Sequence, residues 1–307
     1  MPSRIVENTT PTTFSCPPVK SLSESDWGGF LEKALLLINS LSLDAPIVGI
    51  IWLWCLSAVY SIRIEVHHFL ILFSVTWLSY AGDRLLDSIR TPGKSCLAPR
   101  HLFTSIYFKL LMCAWALVAV FSFLNLVFNL ERTEIFWGFC LLILLAIYYL
   151  CCFYFPELAR GLLPRELLVG LFFSSATHFF VLSHLADGNY YFVWTYGSFL
   201  GLCTLNCLLI SRCEFFSDQQ TGEVTFFTRH PEQIHRFQII LIWFIGLQLI
   251  ACASGFFMRL VPVFEMSLLL SSIALLLLDR SSLNPLLKPV LADFALFTPC
   301  IFVGIMP

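Results

Sequence analysis

Long apolar runs recur along this chain, near 46–62, 68–83, 105–128, 135–155, 167–185, 190–211, 237–257, 264–278 and 289–306. A hydrocarbon core about 30 Å thick is crossed by about 20 residues of helix, so most of these runs have spanning length. The second and eighth are short and need flanking polar turns or a different tilt. None alternates with period two. In lipid every backbone N–H and C=O must be satisfied within the segment, so such runs are read as helices rather than barrel strands. Composition agrees: 58% of residues are hydrophobic, 12% are charged, and mean hydropathy is +0.82, where a soluble domain has about a quarter of its residues charged. The fold expected is all-α, a polytopic membrane helix bundle of about nine transmembrane helices occupying 44–307.

Residues 1–26 hold Pro, Ser, Thr and Asn with little apolar content and are read as a disordered tail. They carry no apolar stretch followed by a small-residue cleavage site, so no signal peptide is expected. Over 27–43, Asp26 stands as an acidic cap and Trp27, Phe30, Leu31, Ala34, Leu35 and Ile38 fall on one helical face, which predicts an amphipathic helix in the membrane interface. Thirteen Lys and Arg lie on the N-terminal side of the expected membrane; Arg63, Arg132 and Arg259 lie on the other. The positive-inside rule then makes the N-terminal face cytoplasmic. The twelve cysteines sit mostly within the runs, without a C-x-x-C pair; Cys203 and Cys207 share a helix face but read as packing residues.

The polar chemistry is expected almost entirely on the cytoplasmic side. In Ser79-Tyr80-Ala81-Gly82-Asp83-Arg84-Leu85-Leu86-Asp87 two carboxylates stand four apart, on one helical face, and Glu214 and Asp218 repeat the spacing after the sixth run. Two such pairs facing one another would make an oxygen-rich site suited to Mg²⁺ and a substrate phosphate. The alternative at each place is local: Asp83 and Asp87 solvating a helix end beside Arg84 or Arg90, Glu214 and Asp218 belonging to a polar loop.

These segments resemble the UbiA-type intramembrane prenyltransferases, which have nine helices and Asp-rich motifs after the second and sixth. Asp83 and Asp87 match the first motif, N-D-x-x-D-x-x-x-D, whose Asn and leading Asp are here Ser79 and Tyr80. Glu214, Asp218, Gly222 and Thr225 match the second, D-x-x-x-D-x-x-x-G-x-x-T, with one Asp-to-Glu change. Asp44-Ala45-Pro46-Ile47, Pro164-Arg165-Glu166-Leu167 and Leu291-Ala292-Asp293-Phe294 resemble, in order, the openings of the first and fifth helices and part of the last. The resemblance runs from about Asp44 to the C-terminus.

It implies an Mg²⁺-dependent enzyme that moves an isoprenyl group from a prenyl diphosphate to an aromatic or lipid-like acceptor, among membrane lipids and without nucleic acid. Asp83, Asp87, Glu214 and Asp218 would hold the metal. Tyr80, standing where the family has an Asp, would face the same cavity. Arg84, Arg100, His101, Arg229 and Arg236 are candidates for diphosphate contacts, with lipid headgroup contact as the alternative. His178 lies mid-span, where an ionisable side chain is a functional candidate, the alternative being a neutral histidine bonded to a neighbouring helix. Asp293 is a similar candidate, with pairing to Lys288 near the cytoplasmic end as the alternative. Two other readings stay open: an inactive or altered member of the same fold, because two positions of the first motif differ, and a transporter, for which buried charges across both halves would be expected.

Nine spans put Asn189 and Gly222 on opposite sides of the membrane. Single cysteines at these positions, on a background lacking the native thiols, should be labelled from opposite faces; labelling from one face would overturn the span count.

Overall fold

A computed structural model of the chain describes residues 28–90, 99–154, 164–185, 190–257 and 263–302, which are helical without a strand. In order they form α1 (Gly28–Ser40), α2 (Asp44–Val59), α3 (Val66–Arg90), α4 (Pro99–Ile106), α5 (Phe108–Asn129), α6 (Arg132–Tyr154), α7 (Arg165–His184) and α8 (Tyr190–Cys213). There follow α9 (Phe215–Thr221), α10 (Phe226–Arg229), a 3₁₀ turn (Pro231–Arg236), α11 (Phe237–Phe257), α12 (Val263–Arg280), α13 (Lys288–Phe294) and a last 3₁₀ turn (Thr298–Phe302). Among the described residues, five stretches are long and apolar enough to cross a membrane: 66–89, 108–129, 165–184, 190–213 and 231–254. A sixth is reached if α1 and α2, bent by 87° where they join, form one broken span.

The structure refines the expected segments. The second run is 25 residues of helix rather than a short span, so Asp83 and Asp87 lie within α3 and not beyond its end. The last run is not one helix: α13 stops at Phe294 and a 3₁₀ turn follows a break. Pro299 lies in that turn; it has no N–H to donate and its ring crowds the preceding turn of a helix. Within the predicted 27–43 helix, α1 runs to Ser40, and the chain turns by 87° into α2 through Ser42 at φ 58. Two donors from α3 hold this corner: Trp77 Nε1 reaches Leu41 O at 2.9 Å and Arg84 donates to Asn39 O. Those carbonyls end a helix and have no partner within it.

The core gathers around α8, which packs closely on α7 and also against α12 and α13. Trp52, Phe199, Phe264 and Leu202 are fully buried there, with the Trp52 ring 4.7 Å from Phe199 and its indole N–H on Leu296 O at 2.8 Å. α5 lies along α3, where Trp115 Nε1 donates to Leu78 O at 2.8 Å. α6 meets α7 instead, and α5 and α6, although consecutive, barely touch. Both expose Leu, Phe and Val side chains along most of their length, as suits helices facing lipid.

The α7–α8 contact is closest at Gly170. A Cβ there would stand 2.6 Å from Thr204 Oγ1 and 3.1 Å from the Thr204 backbone nitrogen. A small residue is what lets two membrane helices approach, and backbone cannot move aside as a side-chain tip can. Gly170→Ala should lower unfolding stability by about 1–3 kcal/mol, the usual cost of overpacking, measured by denaturant titration of the detergent-solubilised protein. Gly197→Ala, where nothing lies within 4 Å, is the control.

Candidate functional site

Where α3 ends and α7 begins, the first residue of α7 organises the charge. Arg165 Nη2 donates to Asp83 Oδ2 at 2.7 Å, and its Nη1 lies 3.7 Å from Glu223 Oε2, in the turn after α9. Asp87, one helical turn beyond Asp83, also bears electrostatically on this guanidinium. One cation therefore joins the first acidic segment to the end of the second. Next to it Glu166 is buried: its Oε1 accepts from Ser211 Oγ at 2.8 Å and from the backbone N–H of Phe226 at 2.9 Å, while Oε2 is buried without a partner. The adjacent Arg165 and Glu166 thus bind α3, α8 and the α9–α10 segment to the start of α7.

The second acidic segment is built as short helices. Glu214 precedes α9, and Asp218 is buried within it. Gly222, at φ +75, ends α9 in the left-handed conformation glycine adopts without steric cost. Thr225 opens α10 in a capping box with Thr228. The Gly-x-x-Thr spacing therefore has a local structural job.

Beneath this layer, about one helical turn further into the bundle, is a small cavity of about 20 Å³. Its walls are Ala45 and Val48 of α2, Tyr80 of α3, Val169, Gly170 and Phe173 of α7, Cys203 and Cys207 of α8, and Asp293 and Leu296 from α13 and the turn after it. That is space for about one water molecule, so a ligand would enter only by displacing its walls. Tyr80 lines this cavity, whereas Asp83, Asp87, Glu214 and Asp218, expected to share a cavity with it, are not among the lining residues. Asp293 pairs not with Lys288 but with Asn206, whose Nδ2 donates to Asp293 Oδ1 at 2.7 Å. Lys288 instead donates to Ser281 O at 2.8 Å and lies 3.4 Å from Asp279 O.

The remaining expected residues scatter. Arg84 donates to the Asn39 carbonyl at the end of α1. Arg229 and Arg236 are exposed, at the ends of α10 and of the 3₁₀ turn that follows. Arg100 and His101 lie on α4, with side chains outside the described set; Asn189 is outside it too. His178 is buried against Phe192, Tyr196 and Phe199, away from the cavity lining. Its Nδ1 is 3.0 Å from Ser174 O; a carbonyl only accepts, so Nδ1 carries the hydrogen, and Nε2 is left buried without a partner.

Polar chemistry is not confined to one end, which corrects the one-sided expectation. At the opposite ends of α3, α7, α8 and α12, the buried His68 places Nε2 3.4 Å from Glu134 Oε1, and Ser183 donates to the same oxygen at 3.2 Å. Tyr191 donates to the buried Glu265 at 2.7 Å. Each acid is close to a loop in sequence and resembles a surface residue there; only packing buries it.

Among the described residues no three His, Cys, Asp or Glu side chains come together in a way that could hold a metal ion, and the carboxylate of Asp83 already faces a guanidinium. Mg²⁺ requires a near-ideal octahedron of oxygens. Compared with protein-family models, curated proteins and solved structures, the chain finds no match.

The Arg165–Asp83 pair is partly exposed, at 39% and 34% of side-chain surface, so water screens it. A double-mutant cycle with Arg165→Met and Asp83→Asn should give a coupling of only about 0.5–1 kcal/mol, read from unfolding in detergent. A coupling of several kcal/mol would show a desolvated pair.

Proposed function

We propose that this multi-pass membrane protein takes the diphosphate of an isoprenyl diphosphate at the Arg165 end of the bundle and transfers the prenyl group to an acceptor that enters among the helices beneath, widening the small cavity there. One observation carries the reading: the cavity and the charged layer are stacked on the same helices, Tyr80 below Asp83 on α3, Gly170 below Arg165 on α7, and Cys207 below Ser211 on α8. Leaving group and acceptor would then be held one turn apart, the proximity that bimolecular transfer needs. Arg165 supplies positive charge where the departing diphosphate gains negative charge. Asp83 and Glu223 orient it until substrate arrives, and apolar walls from Val48, Phe173 and Leu296 shield the allylic carbon from water. In this reading the nine apolar segments cross the membrane, the arrangement is UbiA-like, and the Arg165 end is cytoplasmic by the positive-inside rule.

A second reading is favoured by the Arg165–Asp83 pair itself. With a guanidinium against the first acidic segment, the chain would be an altered member of that fold that binds an amphiphile without transferring it. Buried acids at both ends also suit a transporter, although Glu134 and Glu265 at the far end do not line the cavity.

Purified protein with radiolabelled geranyl diphosphate and a membrane lipid extract should retain label and move it into an organic-soluble product. Arg165→Met should lower retention about tenfold or more, the worth of one charge-assisted hydrogen bond. Asp87→Asn and Asp218→Asn, run with Mg²⁺ and with EDTA, measure whether a metal enters. Turnover abolished by EDTA would mean that Asp83 leaves Arg165 in the working enzyme. Retention without product would establish the altered reading, and no retention would refute both.

A further inference from the structure

At the Arg165 end of the bundle, Arg84, Arg165, Arg212 and Lys288 donate to internal acceptors: the Asn39 carbonyl, Asp83, Asp279 and the Ser281 carbonyl. Arg229, Arg236 and Arg280 are different. All three are exposed, and among the described residues none of them makes an ion pair. Two contacts bring them to one place. Phe227 and Phe237 meet with ring centroids 6.2 Å apart, which ties α10 to the start of α11, and Gln238 Nε2 donates to Asp279 Oδ2 at 2.6 Å, which ties the start of α11 to the end of α12. Each arginine lies within two residues of one of these contacts. The neighbouring acids are engaged: Asp279 also accepts from Arg212 at 2.9 Å, and Glu232 Oε1 lies 3.5 Å from His230 Nδ1. Directly below, the same two helices turn apolar side chains outward. Ile239, Ile240, Ile242 and Trp243 of α11 and Leu277 of α12 are exposed, Trp243 at 76%. The stretch 231–254 is long and apolar enough to span a membrane, so this face meets hydrocarbon. Residues just beyond it then stand at headgroup level, where arginine and tryptophan anchor spanning helices.

We infer that Arg229, Arg236 and Arg280 form a docking site for the headgroup of an anionic phospholipid, whose acyl chains lie along Ile239, Ile240 and Trp243. A guanidinium forks onto phosphate oxygens, and three of them without carboxylate partners favour a headgroup of net negative charge. A zwitterionic headgroup carries an ammonium beside its phosphate, which the same arginines repel. A soluble anion would leave the apolar wall beneath them unused; a diacyl lipid covers it. Near an anionic surface each basic residue is worth about fivefold in affinity, the equivalent of about 1 kcal/mol. The site shares no residue with the Arg165–Asp83 pair or with the cavity, so it holds whether or not the chain transfers a prenyl group.

Trp243 reports on the lipid beside this site, because seven residues of helix put it about 10 Å below Arg236. The full chain is reconstituted in phosphatidylcholine bilayers that contain a small share of either phosphatidylglycerol or phosphatidylcholine with brominated acyl chains, which quench tryptophan on contact. The Trp243 signal is the difference between the wild type and Trp243→Phe. Brominated phosphatidylglycerol should associate there about tenfold or more as strongly as brominated phosphatidylcholine. Arg229→Gln, Arg236→Gln and Arg280→Gln should each lower that ratio severalfold, and the triple variant should bring it near one. Equal quenching by the two lipids in the wild type, or an unchanged ratio in the triple variant, overturns the inference. If the triple variant fails to fold, unchanged ratios in all three single variants overturn it instead. Millimolar inorganic pyrophosphate should leave the ratio intact. If pyrophosphate abolishes it where sodium chloride of the same ionic strength does not, the arginines are a site for a soluble anion and the lipid inference falls.

Discussion

Much of the bundle hangs on two neighbouring residues of opposite sign at the start of α7. Arg165 turns toward α3 and the segment after α9; Glu166 turns toward α8 and the backbone of Phe226. Pro164, with extended ψ, brings the chain in just ahead of them. Helices of seven and four residues are not stable alone, so α9 and α10 depend on such ties and on packing, as where the buried Phe227 meets Phe237. The charge that a diphosphate would meet is therefore also the charge that holds its site together.

The apolar segments were legible because spanning a bilayer imposes length and hydropathy directly on the chain. Helices cover the first eight runs, yet their extents were misjudged wherever polar side chains continue a helix, as in α3 from Asp83 to Arg90. The acidic residues stood out by spacing, but their partners did not. Nothing local marks Arg165 as the partner of Asp83, 82 residues away, or Asn206 as the partner of Asp293, 87 residues away. The pairing of Asp293 with Lys288 looked natural from proximity in sequence, and Lys288 went instead to the carbonyls that end α12. Glu134 and Glu265 were passed over because burial arises only when other helices close over them.

The interior carries several polar atoms without partners: Glu166 Oε2, His178 Nε2, Asn206 Oδ1, both amide atoms of Gln248, and Glu265 Oε2. They belong to α7, α8, α11 and α12, so most surround the central helix α8 instead of lying at one end. Orphaned buried groups are costly and few in folded proteins. A bundle built only for stability would replace them with leucine.

The separation of α5 from α6 has a consequence for what counts as the inside of this protein. The two helices diverge from a shared connection at Leu130 and Glu131, each leaning on a different neighbour. A bilayer leaves no empty wedge, so acyl chains complete the wall behind α3 and α7. Those helices carry Asp83 and Arg165 at their adjoining ends. A change of lipid would therefore press on the same two helices that carry the ion pair, and would reach the charged layer through them.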